Sequence, residues 1–199
     1  MRVLITNDDG YTSIGLKKLV EQIKHRYEEI VVIAPKTQKS ATSHSIILRG
    51  GIEFKQVEDI IPGIRTYYCD GNPADCVSFA RCVLKYPYDL VISGCNNGIN
   101  LGYDIIYSGT VNCALEGAML GYPSIATSLT TMRNDYEDFK VAAEFIAELI
   151  EKLDTYTIPP KTVLNVNVPG LDKEDIADEV AEFMNQYTTL DYAFSDRDA

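Results

Sequence analysis

The sequence predicts an α/β protein: a Rossmann-like, doubly wound, mostly parallel sheet in a three-layer αβα arrangement with an inserted β-hairpin. Three observations lead there. Short apolar runs without helical spacing alternate with segments of helical spacing, the order of a parallel sheet with crossover helices. The chain has 199 residues, which suits one sizeable domain, and 46% of them are hydrophobic, enough for a packed core. Unusually polar loops follow one strand after another, and in a parallel sheet such loops emerge on the same edge.

The elements can be taken in order. Val3, Leu4 and Ile5 form the first buried strand, closed by the turn Asn7-Asp8-Asp9-Gly10. A helix follows with Leu16, Leu19, Val20, Ile23 and Tyr27 on one stripe. Ile30 to Pro35 is a second buried strand, and Lys36 to Ser45 a loop of small hydroxyl residues. Ile46 to Val57 reads as a hairpin around Gly50-Gly51, with Ile52, Phe54 and Val57 inward. Thr66 to Cys69 is another strand, and Pro73 opens a helix lined by Val77, Ala80 and Leu84. Asp89 to Ser93 is a further strand, followed by a long Gly- and Asn-rich loop, a helix over Val111 to Leu120 and a strand over Ser124 to Leu129. The cleanest helical stripe runs from Tyr136 to Leu153, and Thr162 to Val168 closes the sheet. Residues 1–170 are therefore expected to form the domain, and residues 171–199 an acidic helix and tail with Ile176, Val180, Phe183 and Tyr187 on one side.

Bulk properties exclude several classes. A net charge of −11 argues against a nucleic-acid backbone binder. It also requires local cations to offset repulsion of any phosphate substrate. Five cysteines without a C-x-x-C pair fit reduced core residues of a cytosolic protein, and the expected location is the cytoplasm. The first strand starts within two residues of Met1, which leaves no room for a signal peptide, and no apolar run reaches the ~20 residues of a membrane helix. With two histidines, His25 and His44, a His-rich zinc site is excluded. Any metal would be held by oxygen, as Mg²⁺ or Mn²⁺ are.

Asp8 and Asp9 at the carboxyl end of the first strand repel each other unless a cation or donors stand between them. Asp-Asp-Gly also serves as an ordinary turn and helix entry. The converging loops favour the metal: Ser40, Thr42, Ser43 and His44 follow the second strand, and Asn96, Asn97 and Asn100 follow DLVIS. Ser108-Gly109-Thr110 stands before a helix, as an anion site would, or simply as its cap. His25 reads as solvated, and His44 as a residue that orients substrate or acts as an acid. No P-loop, dinucleotide fingerprint or nucleophile elbow is present.

These motifs (NDDG, KSATSHSI, GNPADCV, SGCNNGINLGYDIIYSGTV and ALEGAMLGYPSIA) resemble, in order, those of the SurE family over about residues 1–169. The resemblance implies a metal-dependent phosphomonoesterase that hydrolyses nucleoside 5′- and 3′-monophosphates with one divalent ion, Mg²⁺ or Mn²⁺, per subunit. It implies Asp8, Asp9, Ser40 and Asn96 as metal ligands, with Asp8, Asp9 and Asn96 catalytic. Asn7, Ser40, Thr42, His44, Asn100, Ser108, Gly109 and Thr110 are the expected substrate and phosphate contacts. The general base stays open among Asp8, Asp9 and His44. Ser43 and Asn72 depart from the family's usual Gly and Thr. Family members also continue past the NVNVP strand into an arm used in assembly, where this sequence reads DKEDIADEVAEFMNQY. A homodimer is compatible with that, whereas a tetramer would lack its arm. The alternatives are a pseudoenzyme, or a receiver-like regulatory domain that binds metal or nucleotide without turnover. A receiver would need a phospho-accepting Asp where the sequence has Asn.

Overall fold

The computed structural model describes residues 1–131, 136–152 and 158–171. The expected acidic tail beyond Leu171, and Leu153 at the end of the long helical stripe, lie outside the described residues. Twelve elements follow in chain order: β1 (Arg2–Thr6), α1 (Ile14–Ile23), β2 (Glu29–Pro35), β3 (Phe54–Val57), β4 (Arg65–Cys69), α2 (Pro73–Cys82), β5 (Leu90–Asn97), α3 (Asp104–Tyr107), α4 (Gly109–Met119), β6 (Ser124–Leu129), α5 (Tyr136–Lys152) and β7 (Val163–Val168).

Seven strands form one sheet in the order β3-β4-β2-β1-β5-β6-β7. Every neighbouring pair is parallel except β3 with β4, where Phe54 faces Cys69 and Val57 faces Thr66. The antiparallel excursion is therefore made by β3 and β4, not by two arms around Gly50-Gly51. Gly50 does adopt a positive φ, but Ile46, Ile47 and Leu48 find no partner strand among the described residues and stay exposed.

The sheet is covered on both faces. Val3, Ile5, Val32, Ile92 and Ile125 pack against Leu16, Leu19 and Ile23 of α1 and Phe139, Ile146 and Ile150 of α5. Leu4, Val31, Ile33, Tyr67 and Val91 point the other way, onto Cys76, Val77 and Ala80 of α2 and Cys113 of α4. This alternation is the period-two signature of a strand buried on both faces. Both helix layers come close to the sheet through glycines. A Cβ on Gly15 would lie 2.0 Å from the Cys95 carbonyl oxygen, and one on Gly117 would lie 2.8 Å from Val91 Cγ2. Four of the cysteines are buried and all five are free thiols.

The connections after β1 run to opposite sides, first to β2 and later to β5. A crevice opens where strand order reverses, outside the carboxyl ends of such strands. Asp8 and Asp9 leave β1 at that point, and Asn96 and Asn97 close the adjacent β5.

Candidate metal centre

The first turn is built by Asn7. Its side-chain oxygen accepts from Gly10 N at 3.1 Å, and its amide donates to Gly10 O at 3.0 Å and Ser13 Oγ at 2.7 Å. Gly10 has φ +99°, a left-handed value that glycine adopts at little cost. Ser13 then caps α1 by accepting from Leu16 N. Asn7 is fully buried, so it shapes the turn that presents the two carboxylates.

Asp8 lies against the start of α4. Its Oδ1 accepts from the Thr110 hydroxyl. A Cβ on Gly109 would stand 2.8 Å from Asp8 Oδ2, so only glycine lets the helix come this close. Asp8 is 4% exposed, and burial pushes its carboxyl up to about 6; the neighbouring Asp9 charge adds to the rise and the Thr110 hydroxyl opposes it. Burial also raises Asp9, against donors from the Asn97 N–H at 3.2 Å and Gln38 Nε2 at 3.3 Å. The partners of both carboxylates are all neutral.

Gln38 brings the second loop into the site. The same amide nitrogen that faces Asp9 donates to Ser40 Oγ at 3.0 Å. An oxygen from β1's loop and one from β2's loop thus converge on a single donor. Asn96 is turned by its amide nitrogen, which donates to Gly98 O at 2.8 Å and leaves the side-chain oxygen for another partner. β5 runs through Asn97, past a register shift between Ser93 and Asn96, so these asparagines close a strand where the sequence suggested a loop. Carboxylates, a hydroxyl and an amide oxygen are hard oxygen donors, the kind that Mg²⁺ or Mn²⁺ takes. Among the described residues no group of three or more His, Cys, Asp or Glu gathers, so this set rests on two carboxylates and neutral oxygens. Beside it a cavity of about 310 Å³ is lined by Asp9, Gln38, Asn97, Ser13 and Phe139, among others.

The remaining expected residues fall nearby in different roles. Ser108 is the cap of α4: its Oγ accepts from Val111 N at 3.1 Å. The helix begins at Gly109, so Thr110 stands in the first turn and spends its hydroxyl on Asp8. Asn100 ties its loop to the sheet. Its N–H donates to Asn167 Oδ1 at 2.8 Å, its side-chain amide to Ser128 Oγ at 2.8 Å, and its carbonyl accepts from Asn165 Nδ2 at 2.8 Å. Thr42 folds back on Lys39 O at 2.9 Å. His44 points to α4, where its Nε2 donates to Glu116 Oε2 at 2.8 Å. His25 is exposed. Sequence reasoning missed Gln38 and Glu116; Gln38 sits two residues from Ser40, but Glu116 lies 72 residues from its partner and left no local signal.

A family model described as "Survival protein SurE" matches residues 3–189. The chain belongs to the SurE family. It is 44% identical over 179 residues to a protein named 5′-nucleotidase SurE from Thermosynechococcus vestitus, covering 89% of this chain and 67% of the relative. A protein of the same name from Clostridium botulinum is 42% identical over 179 residues, with 88% and 70% covered. The crystal structure of the SurE protein from Aquifex aeolicus matches with a TM-score of 0.79 at 38% identity, covering 89% of this chain and 69% of that one. The chain thus spans about two thirds of the length of these SurE relatives. Among the described residues no helix is long and apolar enough to cross a membrane.

Proposed function

We propose that this SurE chain is a metal-dependent phosphomonoesterase that hydrolyses nucleoside 5′-monophosphates, and 3′-monophosphates at the same site. The observation that carries this is the convergence of Asp9 and Ser40 on one donor beside Asp8, whose buried carboxyl has no cationic partner among the described residues. The relatives named 5′-nucleotidase support the substrate class.

In this reading Asp8, Asp9, Ser40 and Asn96 hold one divalent ion, Mg²⁺ or Mn²⁺. When bound, such an ion supplies Lewis acidity for phosphoryl transfer to water. Thr110 holds Asp8 in the orientation binding needs, and Gly98 does the same for Asn96. At the start of α4, the Val111 and Asn112 N–H groups go to Ser108 Oγ and Ser108 O. The Gly109 N–H is then the donor assigned to a phosphoryl oxygen, aided by the positive end of the helix. These local positive features offset the chain's net charge of −11 at the point where an anion must approach. With His44 committed to Glu116, Asp8 and Asp9 remain of the three candidates for handling a proton in the site.

The test is phosphate release from a panel of 5′- and 3′-nucleoside monophosphates and an aryl phosphate, with Mn²⁺, with Mg²⁺ and with a chelator. Metal-dependent release that prefers nucleotides is expected. Release that persists in chelator would overturn the metal reading, and equal rates on the aryl phosphate would overturn the nucleotide reading. Silence throughout, from folded protein, would point to a pseudoenzyme.

A further inference from the structure

Ser40 is exposed, and its loop is bent by two non-glycine residues in the left-handed region, Ala41 at φ 57° and Ser43 at φ 53°. Such conformations are strained for L-residues and persist only where surrounding contacts hold them. The contacts are present on both sides of Ser40. On the site side, Lys39 N donates to Asp8 O at 2.7 Å. On the far side, Ser43 N donates to Tyr107 O at 3.0 Å, Asn72 Nδ2 to Ser45 Oγ at 3.0 Å, and His44 Nε2 to Glu116 Oε2 at 2.8 Å.

The His44 contact differs from the others because a carboxylate receives it. Glu116 is half-buried on α4, and its second oxygen accepts from Ser78 Oγ of α2 at 2.6 Å. The His44 ring holds the Glu116 carboxyl below its ordinary range, with Ser78 adding to this against burial. A serine, a carboxylate and a histidine together invite comparison with a hydrolytic relay. In a relay, though, the imidazole must stand between hydroxyl and carboxylate, whereas here the carboxylate stands between the other two. The group is an anchor: a rigid acceptor on two packed helices that grips the loop four residues beyond Ser40.

We propose that His44 and Glu116 are positioning residues, whose contact clasps the loop after β2 onto α4 and so fixes Ser40 at the metal centre. This rests on the reading of Ser40 as a metal ligand. It places His44 outside the group that touches phosphate.

The test is Mn²⁺ affinity, measured by calorimetry on the full chain without substrate, for wild type, Glu116→Ala, Ser40→Ala and the double variant. Loss of an orienting partner typically weakens metal binding by ~10–100-fold, and that loss is expected for Glu116→Ala. Because Glu116 acts through Ser40, the double variant is expected to bind no more weakly than Ser40→Ala alone. Glu116→Gln, which keeps an acceptor oxygen for His44, is expected to recover most of the affinity. Should Glu116→Ala fail to fold by circular dichroism, His44→Ala replaces it in the same cycle. Affinity unchanged in Glu116→Ala, or penalties that multiply in the double variant, would overturn the clasp while leaving the metal site standing. Wild-type affinity in Ser40→Ala would instead overturn the ligand assignment, and the clasp with it.

Discussion

Replacing Asp8 by Asn is expected to stabilise the metal-free protein while abolishing activity. The reason is the burial of a carboxylate with neutral partners only. Asp8 titrates near 6 in the folded chain, against 3.8 for the free side chain. The folded state therefore binds a proton more tightly than the unfolded state. Below pH 3.8 both states are protonated and Asp8 has no effect on stability. As pH rises from 3.8 to 6 a penalty develops, and above 6 it is complete. Two pKa units at 1.36 kcal/mol each put that penalty at about 3 kcal/mol. Asn keeps an oxygen for the Thr110 hydroxyl but gains an amide that must find an acceptor. A net gain of about 1–2 kcal/mol is therefore expected, or ~3–6 °C in melting temperature for a domain of this size. The assay is thermal denaturation of both proteins in a chelator at pH 8 and again at pH 4. At pH 8 the variant should melt higher, and at pH 4, where the carboxylate penalty has nearly gone but the cost of the buried amide remains, it should melt lower than wild type. Saturating Mn²⁺ should reverse the order at pH 8, since ligand at a hundred times its dissociation constant stabilises wild type by about 2.7 kcal/mol. Equal melting at pH 8 in chelator, or a lower midpoint for the variant, would refute the argument that Asp8 is held at a cost that a cation relieves.

Other outcomes follow from the same geometry. Gly109→Ala would drive a methyl group to 2.8 Å from Asp8 Oδ2, so a folded variant should lose at least ~10-fold in Mn²⁺ affinity, read by calorimetry. Thr110→Val removes the hydroxyl that orients Asp8 and should lower kcat/KM by ~10–100-fold, and because it leaves a buried carboxylate short of a donor it should also cost about 1–3 kcal/mol of stability at pH 8. Asn167→Leu strands the Asn100 N–H and should cost about 1–3 kcal/mol of stability by denaturant titration. Gly117→Ala presses on Val91 and Ser124 in the core, and overpacking of this kind should cost ~1–3 kcal/mol without altering metal affinity.

Much of the fold was legible because buried strands and amphipathic helices carry their periodicity locally. Val3 to Ile5, Ser124 to Leu129 and the stripe through Phe139 and Ile146 were read from spacing alone. What failed depended on tertiary partners. The run Gly94-Cys95-Asn96-Asn97 looks like a loop, yet it continues β5 because Gly94 lets the strand press against Thr127, where a Cβ would meet the carbonyl oxygen at 2.3 Å. Ile46 to Leu48 look like a strand, yet no strand among the described residues pairs with them, and the Ile47 N–H goes to the Asp75 carboxylate instead. In the site, the sequence placed polar loops on one edge but could not apportion their side chains. Asn7 and Asn100 are consumed in building turns, Ser108 in capping, and His44 in holding Glu116. Asn7 and Ser108 bond to residues close by in sequence, whereas Asn100 and His44 depend on distant partners that only folding supplies. The alternation of Asn165 and Asn167 in the last strand was visible, and the Asn100 backbone they hold was not.

The most direct test of the metal centre is a crystal grown or soaked with Mn²⁺, with diffraction recorded at the manganese edge. One anomalous peak within bonding distance of Asp8, Asp9, Ser40 and Asn96 is the expected result. A peak away from the Asp8–Asp9 turn, or none at Mn²⁺ concentrations that support phosphate release, would contradict it.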